Sequence, residues 1–330
     1  MLKQVIEQLI NGEDLTHDVC EKVIHEMISG RNESQMAAFL VLMRQKGETA
    51  DELFGIVKAM RQKMIPVPIE IPVLDIVGTG GDQSHSVNIS TGASILAAAC
   101  GVKVAKHGNR ASSSKCGSAD VLEAMGLPIE LGPDKVKEAL DQFNIGFMFA
   151  PFYHPVFKEI AKVRKQLGIR TLFNFIGPLL NPAIPPFHLF GVARSELIDL
   201  LADVLLLLKT KRALIFHCEG LDELTPVGPC DIVEVTEGKK IRFTLDPKDL
   251  GFQRCTKKDL EGDDPKLNAR LLLEAFQGKP GPIADTLILN AGVAIYVYGL
   301  ANSIEEGIEK AREVQQTGKA MEVVEKWKTF

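Results

Sequence analysis

Residues 73–91, reading VLDIVGTGGDQSHSVNIST, combine a short apolar run with the residue types best suited to surround a phosphate. The run at 73–77 predicts a buried strand, and three glycines follow it: Gly78, Gly80 and Gly81. Glycine adopts positive φ and lets a ligand approach the main chain closely. A strand that breaks into glycines and resumes as a helix turns its backbone N–H groups toward a common point, where anions bind.

Asp82 does not suit a simple anion cradle, because its carboxylate would repel a phosphate. It fits better as a partner of a ribose hydroxyl, of a metal-bound water or of the loop's own amides. Asn88, Ser90 and Thr91 stand at the predicted helix start and favour a phosphate site over a plain tight turn, which is the alternative. The glycine spacing matches neither the dinucleotide fingerprint nor the Walker loop, so the stretch predicts a sugar-phosphate site.

A second polar cluster begins at Lys106, just past a strand predicted at 102–105. The stretch KHGNR at 106–110 supplies two cations, an imidazole and an amide, and four serines follow by residue 118. Ligands gather at the carboxyl ends of parallel strands, so this cluster predicts a second wall for phosphates, with Lys106 as a point charge. The alternative is a solvated basic turn before a helix capped by Ser118.

Two adjacent carboxylates, Asp222 and Glu223, follow a strand predicted at 213–217. Neighbouring acids repel one another, and they are usually either solvated or bridged by a cation. An oxygen-rich site that faces phosphates suits Mg²⁺, which keeps several waters and takes one or two carboxylates. The pair therefore predicts a magnesium site, and the alternative is surface charge.

Arg164 lies on a helix pattern that buries apolar residues at 156, 160, 163 and 167. An arginine in such a place is most often a surface or interface residue, but its planar fork also suits a carboxylate ligand. His107 and His154 are candidate acid–base groups, for which a structural hydrogen-bonding role is the favoured interpretation.

These residues need a scaffold that brings several strand ends together. Beyond a proline-containing linker at 65–72, strand and helix patterns alternate, which predicts an α/β fold with an at least partly parallel sheet. The first 65 residues predict helices only, and the apolar run at 36–43 must be covered within its own domain or by a second subunit. Strands are predicted at 73–77, 102–105, 145–149, 189–193 and 213–217, with a hairpin at 230–246.

The chain of 330 residues, with 45% hydrophobic and 25% charged residues, has room for one large domain or two ordinary ones. A net charge of −5 argues against general nucleic-acid binding. No apolar run reaches transmembrane length, and the N-terminus is amphipathic and carries acids. Six scattered cysteines without paired spacing predict reduced thiols, no disulfide and a cytoplasmic location.

Motifs along nearly the whole chain resemble, in order, those of the anthranilate phosphoribosyltransferase family. They are GTGGD at 78–82, NIST at 88–91, KHGNR at 106–110, GSAD at 117–120, VRKQLGIRT at 163–171, FNFIGPLLNP at 173–182 and GLDEL at 220–224. The resemblance implies a small all-helical domain and a large α/β domain with a central, largely parallel sheet flanked by helices. The small domain would span 1–68 plus an inserted segment at about 155–185, and the large one 69–154 and 186–330.

The resemblance also implies a reaction, in which the 5-phosphoribosyl group passes from 5-phosphoribosyl-1-pyrophosphate to the amine of anthranilate during tryptophan biosynthesis. It implies Mg²⁺ as cofactor, with ligands at Ser90, Asp222 and Glu223, and a homodimer formed through the helical domain. Anthranilate would contact Gly78, Asn109 and Arg164. The donor would contact Gly78, Gly81, Asp82, Ser86, Asn88, Ile89, Ser90, Thr91, Lys106, His107, Gly108, Asn109, Arg110, Ala111, Ser112, Ser113, Ser114 and Ser118.

The chain departs from the family pattern at Ser112, Cys116, Cys218 and Glu219. The family often has valine or methionine at the first position, serine at the second and a glycine–aspartate pair at the last two. Two other functions are alternatives to the transferase. A pyrimidine-nucleoside phosphorylase would need a different phosphate motif from KHGNR and GLDEL. A non-catalytic nucleic-acid-binding relative would be expected to lose the metal acids and gain a basic face.

Overall fold

The structure, a computed structural model, describes residues 1–29, 32–111 and 115–330. The helices are α1 (Leu2–Ile10), α2 (His17–Ile28), α3 (Glu33–Lys46), α4 (Ala50–Arg61), α5 (Ile89–Ala99), α6 (Ser118–Ala124), α7 (Pro133–Phe143), α8 (Ala150–Tyr153), α9 (Phe157–Leu167), α10 (Leu197–Leu207), α11 (Pro265–Phe276), α12 (Pro282–Tyr298), α13 (Ile304–Gln316) and α14 (Lys319–Lys328). The strands are β1 (Leu74–Gly78), β2 (Val104–Gly108), β3 (Ile145–Phe149), β4 (Phe187–Gly191), β5 (Arg212–Cys218), β6 (Cys230–Thr236) and β7 (Lys239–Leu245).

The seven strands form one sheet in the order β3-β2-β1-β4-β5-β6-β7. Strands β1 to β5 pair in parallel, and β6 and β7 are antiparallel additions at one edge. The chain runs outward from β1 to β3 on one side and from β4 to β5 on the other. The strand order therefore reverses between the parallel neighbours β1 and β4. Ligands bind outside the carboxyl ends of the strands at such a switch point.

Two large apolar clusters cover the two faces of this sheet. One is built around α5, α11, α12 and α14. The other joins helices α1 to α4 and α10 to the opposite face, where Ile215 and Val233 lie. Ile160 of α9 and Leu172 belong to this second cluster, so the segment predicted as an insertion contacts the N-terminal helices. The domain boundaries given above stay a prediction.

The fold class is confirmed, as a small helical domain and a mostly parallel sheet flanked by helices. The prediction that a strand ends at residue 105 is wrong, because β2 runs from Val104 to Gly108. Lys106 and His107 therefore lie within the strand, opposite Phe147 and Met148 of β3. Polar residues at the end of a strand can keep their backbone pairing while their side chains line a crevice. Because Lys106 and His107 are polar, the apolar pattern that predicts a strand stopped before them.

The cysteine prediction is wrong for one pair. Cys218 of β5 and Cys230 of β6 form a disulfide, with Cα atoms 4.2 Å apart. The two residues stand opposite each other in the antiparallel ladder, a proximity that the strand register creates and the sequence spacing does not indicate. Within the described ranges, no helix is long and apolar enough to cross a membrane.

Candidate active site

The glycine-rich loop follows β1 after Gly78, at the switch point where the strand order reverses. Gly80, Gly81 and Gln83 all have positive φ, at 71°, 81° and 61°. The backbone N–H groups of Gly81, Asp82 and Gln83 have no hydrogen-bond acceptor in the described part of the chain. Successive unpaired N–H groups in a left-handed turn form a concave anion-binding surface, as the glycines predicted.

Helix α5 begins directly after this loop and adds donors at its N-terminus. The hydroxyl oxygen of Thr91 is buried without a hydrogen-bond partner in the described residues, which is costly unless a ligand supplies one. The backbone N–H of Ser90 donates to the carboxylate of Glu223 at 3.1 Å. Asn88 uses its amide structurally, since it donates to the carbonyl of Cys116 and accepts from Asn268.

The acid loop, residues 219–223, follows β5 and turns back over the glycine-rich loop. His217 clamps its start, because its Nδ1 lies 2.8 Å from the Val192 carbonyl and its Nε2 accepts the Gly220 N–H at 3.1 Å. These two backbone contacts fix the orientation of the imidazole ring. The carboxylate of Asp222 accepts the N–H of Gly80 at 2.5 Å. A Cβ at Gly78 would stand only 2.3 Å from Asp222 Oδ2, so this approach requires glycine.

Three carboxylates influence one another here. Burial, followed by the charge of Asp82, raises the pKa of Asp222 from 3.8 to about 7. Burial and the neighbouring Asp222 raise the pKa of Glu223 well above its usual value, while Lys106 opposes the shift. Asp82 accepts the Ser84 N–H through Oδ1, which is the loop-amide role considered above, and its buried Oδ2 has no partner in the described residues. Such a cluster favours a cation.

Lys106 lies beneath the glycine-rich loop and is 2% exposed. Its ammonium donates to the Ile76 carbonyl at 2.7 Å and to the Ser90 hydroxyl at 3.4 Å. Burial lowers its pKa, and the charges of Asp75 and Glu223 oppose that effect. Lys106 is therefore a buried cation between two acids, close to the start of α5.

Behind Lys106, Asp75 is fully buried and accepts the side-chain amide of Asn181 at 2.8 Å and the His107 N–H at 3.4 Å. Asn181 also donates to the Ala105 carbonyl. Burial raises the pKa of Asp75 to about 6, against the opposing charge of Lys106. This network ties β1 and β2 to the predicted insertion. The sequence signals were Asp75 within an apolar strand pattern and Asn181 before Pro182. That the two side chains meet depends on the fold.

The predicted second wall is only partly described, because Ser112, Ser113 and Ser114 lie outside the described residues. Arg110 does not point at the glycine-rich loop: its guanidinium pairs with Asp120 and Glu123. Ser118 donates its hydroxyl to the Asn109 carbonyl at 3.2 Å. The contact of Arg110 with the donor stays a prediction, and two carboxylates on α6 would compete with phosphate for its guanidinium.

The remaining predicted donor contacts surround these groups. Ile89 is a buried residue of the first turn of α5, and its backbone N–H already donates to the Val87 carbonyl at 2.6 Å. The hydroxyl of Ser86 lies 3.2 Å from that of Ser84. Gly108 ends β2, and a Cβ there would stand 2.2 Å from the hydroxyl of Ser118. The N–H of Ala111 donates to Asp120 at 2.9 Å, which joins Ala111 to α6.

Arg164 lies near the end of α9, half-buried, with its guanidinium 5.8 Å from the ring centre of Phe173. It forms no ion pair with any described residue. Aromatic contacts lead from this point to β2: Phe173 touches Phe157, Phe157 touches His154, and His154 touches His107 at a centroid distance of 5.1 Å. Asn109 lies two residues beyond His107, so one continuous wall joins Arg164 to the KHGNR stretch.

The two histidines in that wall are buried and neutral. Burial lowers the pKa of His154 to about 4, and burial lowers the pKa of His107 well below its usual value. Among the described residues the backbone of Gly177 hydrogen-bonds His107 and the backbone of Leu180 hydrogen-bonds His154, whereas the buried Nε2 of His107 has no partner there. The structural hydrogen-bonding role favoured for these two rings therefore stays a prediction.

Comparison with known proteins agrees with this arrangement. Residues 3–64 match the helical bundle domain of the glycosyl transferase family, and residues 70–321 match its a/b domain. An anthranilate phosphoribosyltransferase of Chlamydia caviae is 46% identical over 331 aligned positions, which cover 100% of this chain and 96% of that protein. The chain belongs to the anthranilate phosphoribosyltransferase family.

Solved members of the anthranilate phosphoribosyltransferase family share the whole fold. The enzyme of Thermus thermophilus superposes with a TM-score of 0.93 at 39% identity, covering 98% of each chain. The enzyme of Saccharomyces cerevisiae, solved in complex with PRPP and Mg, gives a TM-score of 0.90 at 28% identity, covering 99% of this chain and 96% of that one. The resemblance inferred from the motifs is confirmed.

One contact within the family framework carried no signal in the sequence. Arg170, three residues after α9, donates from Nη2 to the carbonyl of Gly81 at 2.7 Å. Both residues lie in motifs quoted above, but nothing in their spacing of 89 residues indicates that they meet.

Proposed function

We propose that this chain transfers the 5-phosphoribosyl group from 5-phosphoribosyl-1-pyrophosphate to the amine of anthranilate, giving N-(5-phosphoribosyl)anthranilate and pyrophosphate for tryptophan biosynthesis. The observation that carries the proposal is the meeting of two groups at the carboxyl ends of β1 and β4. One is the set of N–H groups on the glycine-rich loop that have no acceptor among the described residues, and the other is the Asp222–Glu223 pair. Donors for phosphate and acceptors for a cation in one crevice suit a phosphorylated substrate bound with a metal.

The donor's phosphates would lie on the N–H groups of residues 81–83 and on the start of α5. Thr91 supports this placement because its buried hydroxyl lacks a partner among the described residues, and helix N-termini favour negative charge. Lys106 adds a fixed positive charge beneath the same helix turn. The serines of 112–114 stay a prediction for this wall.

Mg²⁺ would be held by Asp222 and Glu223, with Ser90 beside them. The fit rests on the chemistry of the donor set: two partly or fully buried carboxyls with raised pKa values, and the carboxylate of Asp82 beside Asp222. In the described residues no three His, Cys, Asp or Glu side chains converge as a closed metal site. Waters and donor phosphates would complete the coordination, as Mg²⁺ prefers.

Anthranilate would lie along the wall from Arg164 to Asn109, with Gly78 at its inner end. Arg164 supports this assignment because its half-buried guanidinium has no carboxylate partner among the described residues and lies on the ring of Phe173. A planar guanidinium offers a carboxylate two parallel hydrogen bonds. The flat acceptor ring would pack on the aromatic wall.

The reaction needs alignment and charge stabilisation more than proton transfer. The arylamine of anthranilate is neutral at pH 7 and already nucleophilic, so no base must generate it. The loop amides would hold the pyrophosphate as charge develops on it, and Arg164 would aim the amine at the anomeric carbon. The bound Mg²⁺ would neutralise the leaving pyrophosphate.

We further propose a homodimer through the helical domain. Ile10 of α1 is 59% exposed and Val41 of α3 is 38% exposed, and α1 and α3 pack side by side. Val41→Glu should shift the chain from dimer to monomer in light scattering coupled to gel filtration. A wild-type monomer would contradict this proposal.

The proposed location is the cytoplasm, in keeping with a biosynthetic role. The Cys218–Cys230 disulfide is the feature that opposes it, since the cytoplasm keeps most thiols reduced. Alkylation of thiols under denaturing conditions at the moment of lysis tests this location. The four cysteines outside the disulfide should be alkylated in any compartment, and a cytoplasmic chain should in addition have the Cys218–Cys230 pair reduced and alkylated. A fully oxidised pair in fresh lysate would contradict the cytoplasmic assignment.

Product identification tests the proposed reaction. The purified chain is incubated with both substrates and Mg²⁺, and mass spectrometry is used to look for N-(5-phosphoribosyl)anthranilate. We expect the product only when all components are present. Phosphorolysis of a pyrimidine nucleoside without formation of this product would replace the proposal by the phosphorylase alternative.

A further inference from the structure

Arg170 connects the segment after α9 to the glycine-rich loop after β1. Its Nη2 donates to the carbonyl of Gly81 at 2.7 Å. A Cβ at Gly81 would stand 2.9 Å from Nη2 and 3.2 Å from Cζ, so the guanidinium lies directly against the glycine-rich loop. Gly81 belongs to the loop after β1, whereas Leu172, two residues beyond Arg170, is buried in the cluster of the N-terminal helices.

Hydrogen bonds fix the backbone on both sides of the Arg170 peptide. Arg44 of α3 donates from Nη1 to the Arg170 carbonyl at 2.9 Å. The next residue, Thr171, donates its N–H to the side chain of Asn174 at 2.9 Å and begins a short 3₁₀ helix. Arg170 therefore reaches the loop from a fixed base, although its side chain is exposed.

The contact has a stereochemical consequence for the next peptide. No peptide bond in the described residues is cis, so the carbonyl of Gly81 and the N–H of Asp82 point in opposite directions. Because Arg170 holds the carbonyl on its side, the N–H of Asp82 is directed away from Arg170. That N–H has no acceptor in the described part of the chain.

We propose that Arg170 is a positioning residue that orients the Gly81–Asp82 peptide, so that the Asp82 N–H faces the donor's phosphate. This inference rests on the proposed function. Glycine at positive φ leaves this peptide free to rotate, and a charged donor on its carbonyl selects one orientation before the substrate binds. Preorganised amides cost no reorganisation when charge develops on the leaving group.

The test measures donor affinity and kinetics in Arg170→Ala, Arg170→Lys and the matched control Lys165→Ala. Lys165 is an exposed cation on the same segment, and no described residue pairs with it. Calorimetry with 5-phosphoribosyl-1-pyrophosphate and Mg²⁺ gives the donor Kd directly. Steady-state assays then give the KM of each substrate and kcat.

Arg170→Ala should weaken the donor Kd by about tenfold, equivalent to about 1.4 kcal/mol, and leave the anthranilate KM within about twofold. Arg170→Lys should recover part of the loss, because an ammonium can reach the carbonyl but cannot lie flat against the glycine. Lys165→Ala should match the wild type. A general structural role would instead raise both KM values and lower the melting temperature.

Three results would overturn the inference. An unchanged donor Kd in Arg170→Ala, with normal binding by the wild type, would overturn this inference and leave the proposed function intact. Full recovery by lysine, with a weaker salt dependence in the alanine variant, would make Arg170 a direct phosphate ligand. Failure of the wild type to bind the donor would overturn the proposed function, and this inference with it.

Discussion

The carboxylate of Asp222 accepts a hydrogen bond from the backbone N–H of Gly80 at 2.5 Å, across 142 residues of sequence. This contact places the acid loop after β5 on the glycine-rich loop after β1, over a close approach that only a glycine at position 78 allows. The two loops thus form one site, and substitutions in either one should affect the same step.

Removal of the two charges on the acid loop should weaken metal binding. In the double variant Asp222→Asn with Glu223→Gln, turnover should fall by at least about a hundredfold, in line with the loss of several kcal/mol of electrostatic stabilisation. The Mg²⁺ concentration needed for half-maximal rate should rise. Steady-state rates across a Mg²⁺ titration provide the measurement.

The fold of that double variant should survive, because both substitutions replace buried acids of raised pKa by neutral groups of the same shape. Thermal melts supply the control: Mg²⁺ with the donor should raise the melting temperature of the wild type and have little effect on the variant. Full activity of the variant at unchanged Mg²⁺ would show that the metal binds elsewhere.

A side chain at Gly81 should weaken donor binding. Gly81→Val puts a β-branched residue at φ 81°, and its Cβ would stand 2.9 Å from the guanidinium of Arg170. Gly251→Val is the matched control, because Gly251 has φ 82° and a Cβ there would meet no heavy atom within 4 Å. Both variants should lose stability through left-handed strain, by roughly 1–2 kcal/mol.

Only the Gly81 variant should lose affinity for 5-phosphoribosyl-1-pyrophosphate in calorimetry, and we expect a loss of at least about tenfold, or about 1.4 kcal/mol. Equal donor affinity in the two variants would place the phosphate site away from this loop.

The order of strands and helices could be predicted from the spacing of apolar residues and from the glycines and prolines at element ends. Buried parallel strands bounded by these residues give a clear pattern. The sequence also indicated that Gly81 and Asp222 lie on loops after strands, since strand ends converge in this fold class, and that Arg164 lies on a helix. Contacts that depend on register or on side-chain direction were not predictable. The Cys218–Cys230 disulfide needs the β5–β6 register, and the pairing of Arg110 with Glu123 needs the rotation of α6.

Arg164 should determine acceptor binding. Its half-buried guanidinium has no carboxylate partner in the described residues, and a charge-assisted hydrogen bond contributes roughly 1.5–3 kcal/mol. Arg164→Ala should therefore raise the anthranilate KM by about one to two orders of magnitude, and Arg164→Lys should recover only part of it. Steady-state kinetics with each substrate varied in turn give both KM values.

The donor KM should change little in the Arg164 variants, since the donor's contacts lie on other loops. Lys158→Ala, which removes an exposed cation from the same helix, should behave as the wild type. A rise of the donor KM with an unchanged anthranilate KM would assign Arg164 to the phosphate wall.

Asp75 should make stability depend on pH. Its pKa is raised from 3.8 to about 6 by burial, so the folded state holds a proton that the unfolded state releases between these values. Its favourable contribution is present below pH 4 and is lost as the pH rises through about 6, by on the order of 3 kcal/mol in total. Asp75→Asn cannot titrate and should lack this slope.

Urea unfolding of the wild type and Asp75→Asn at about pH 4, 5, 6 and 7 isolates the effect as the difference between the two proteins. The free energy of unfolding of the wild type should fall relative to the variant between about pH 4 and 6 and run parallel to it above about pH 7. A constant difference over the whole range would mean that Asp75 keeps an ordinary pKa, with its charge fully compensated by Lys106.

The central claim is that one crevice takes a phosphoribosyl pyrophosphate and an aromatic amine together. The most direct measurement is the release of pyrophosphate from 5-phosphoribosyl-1-pyrophosphate by the wild type in Mg²⁺, with and without anthranilate. We predict release that depends on anthranilate and matches its consumption one for one. Release at the same rate without anthranilate, or no release in its presence, would contradict the account.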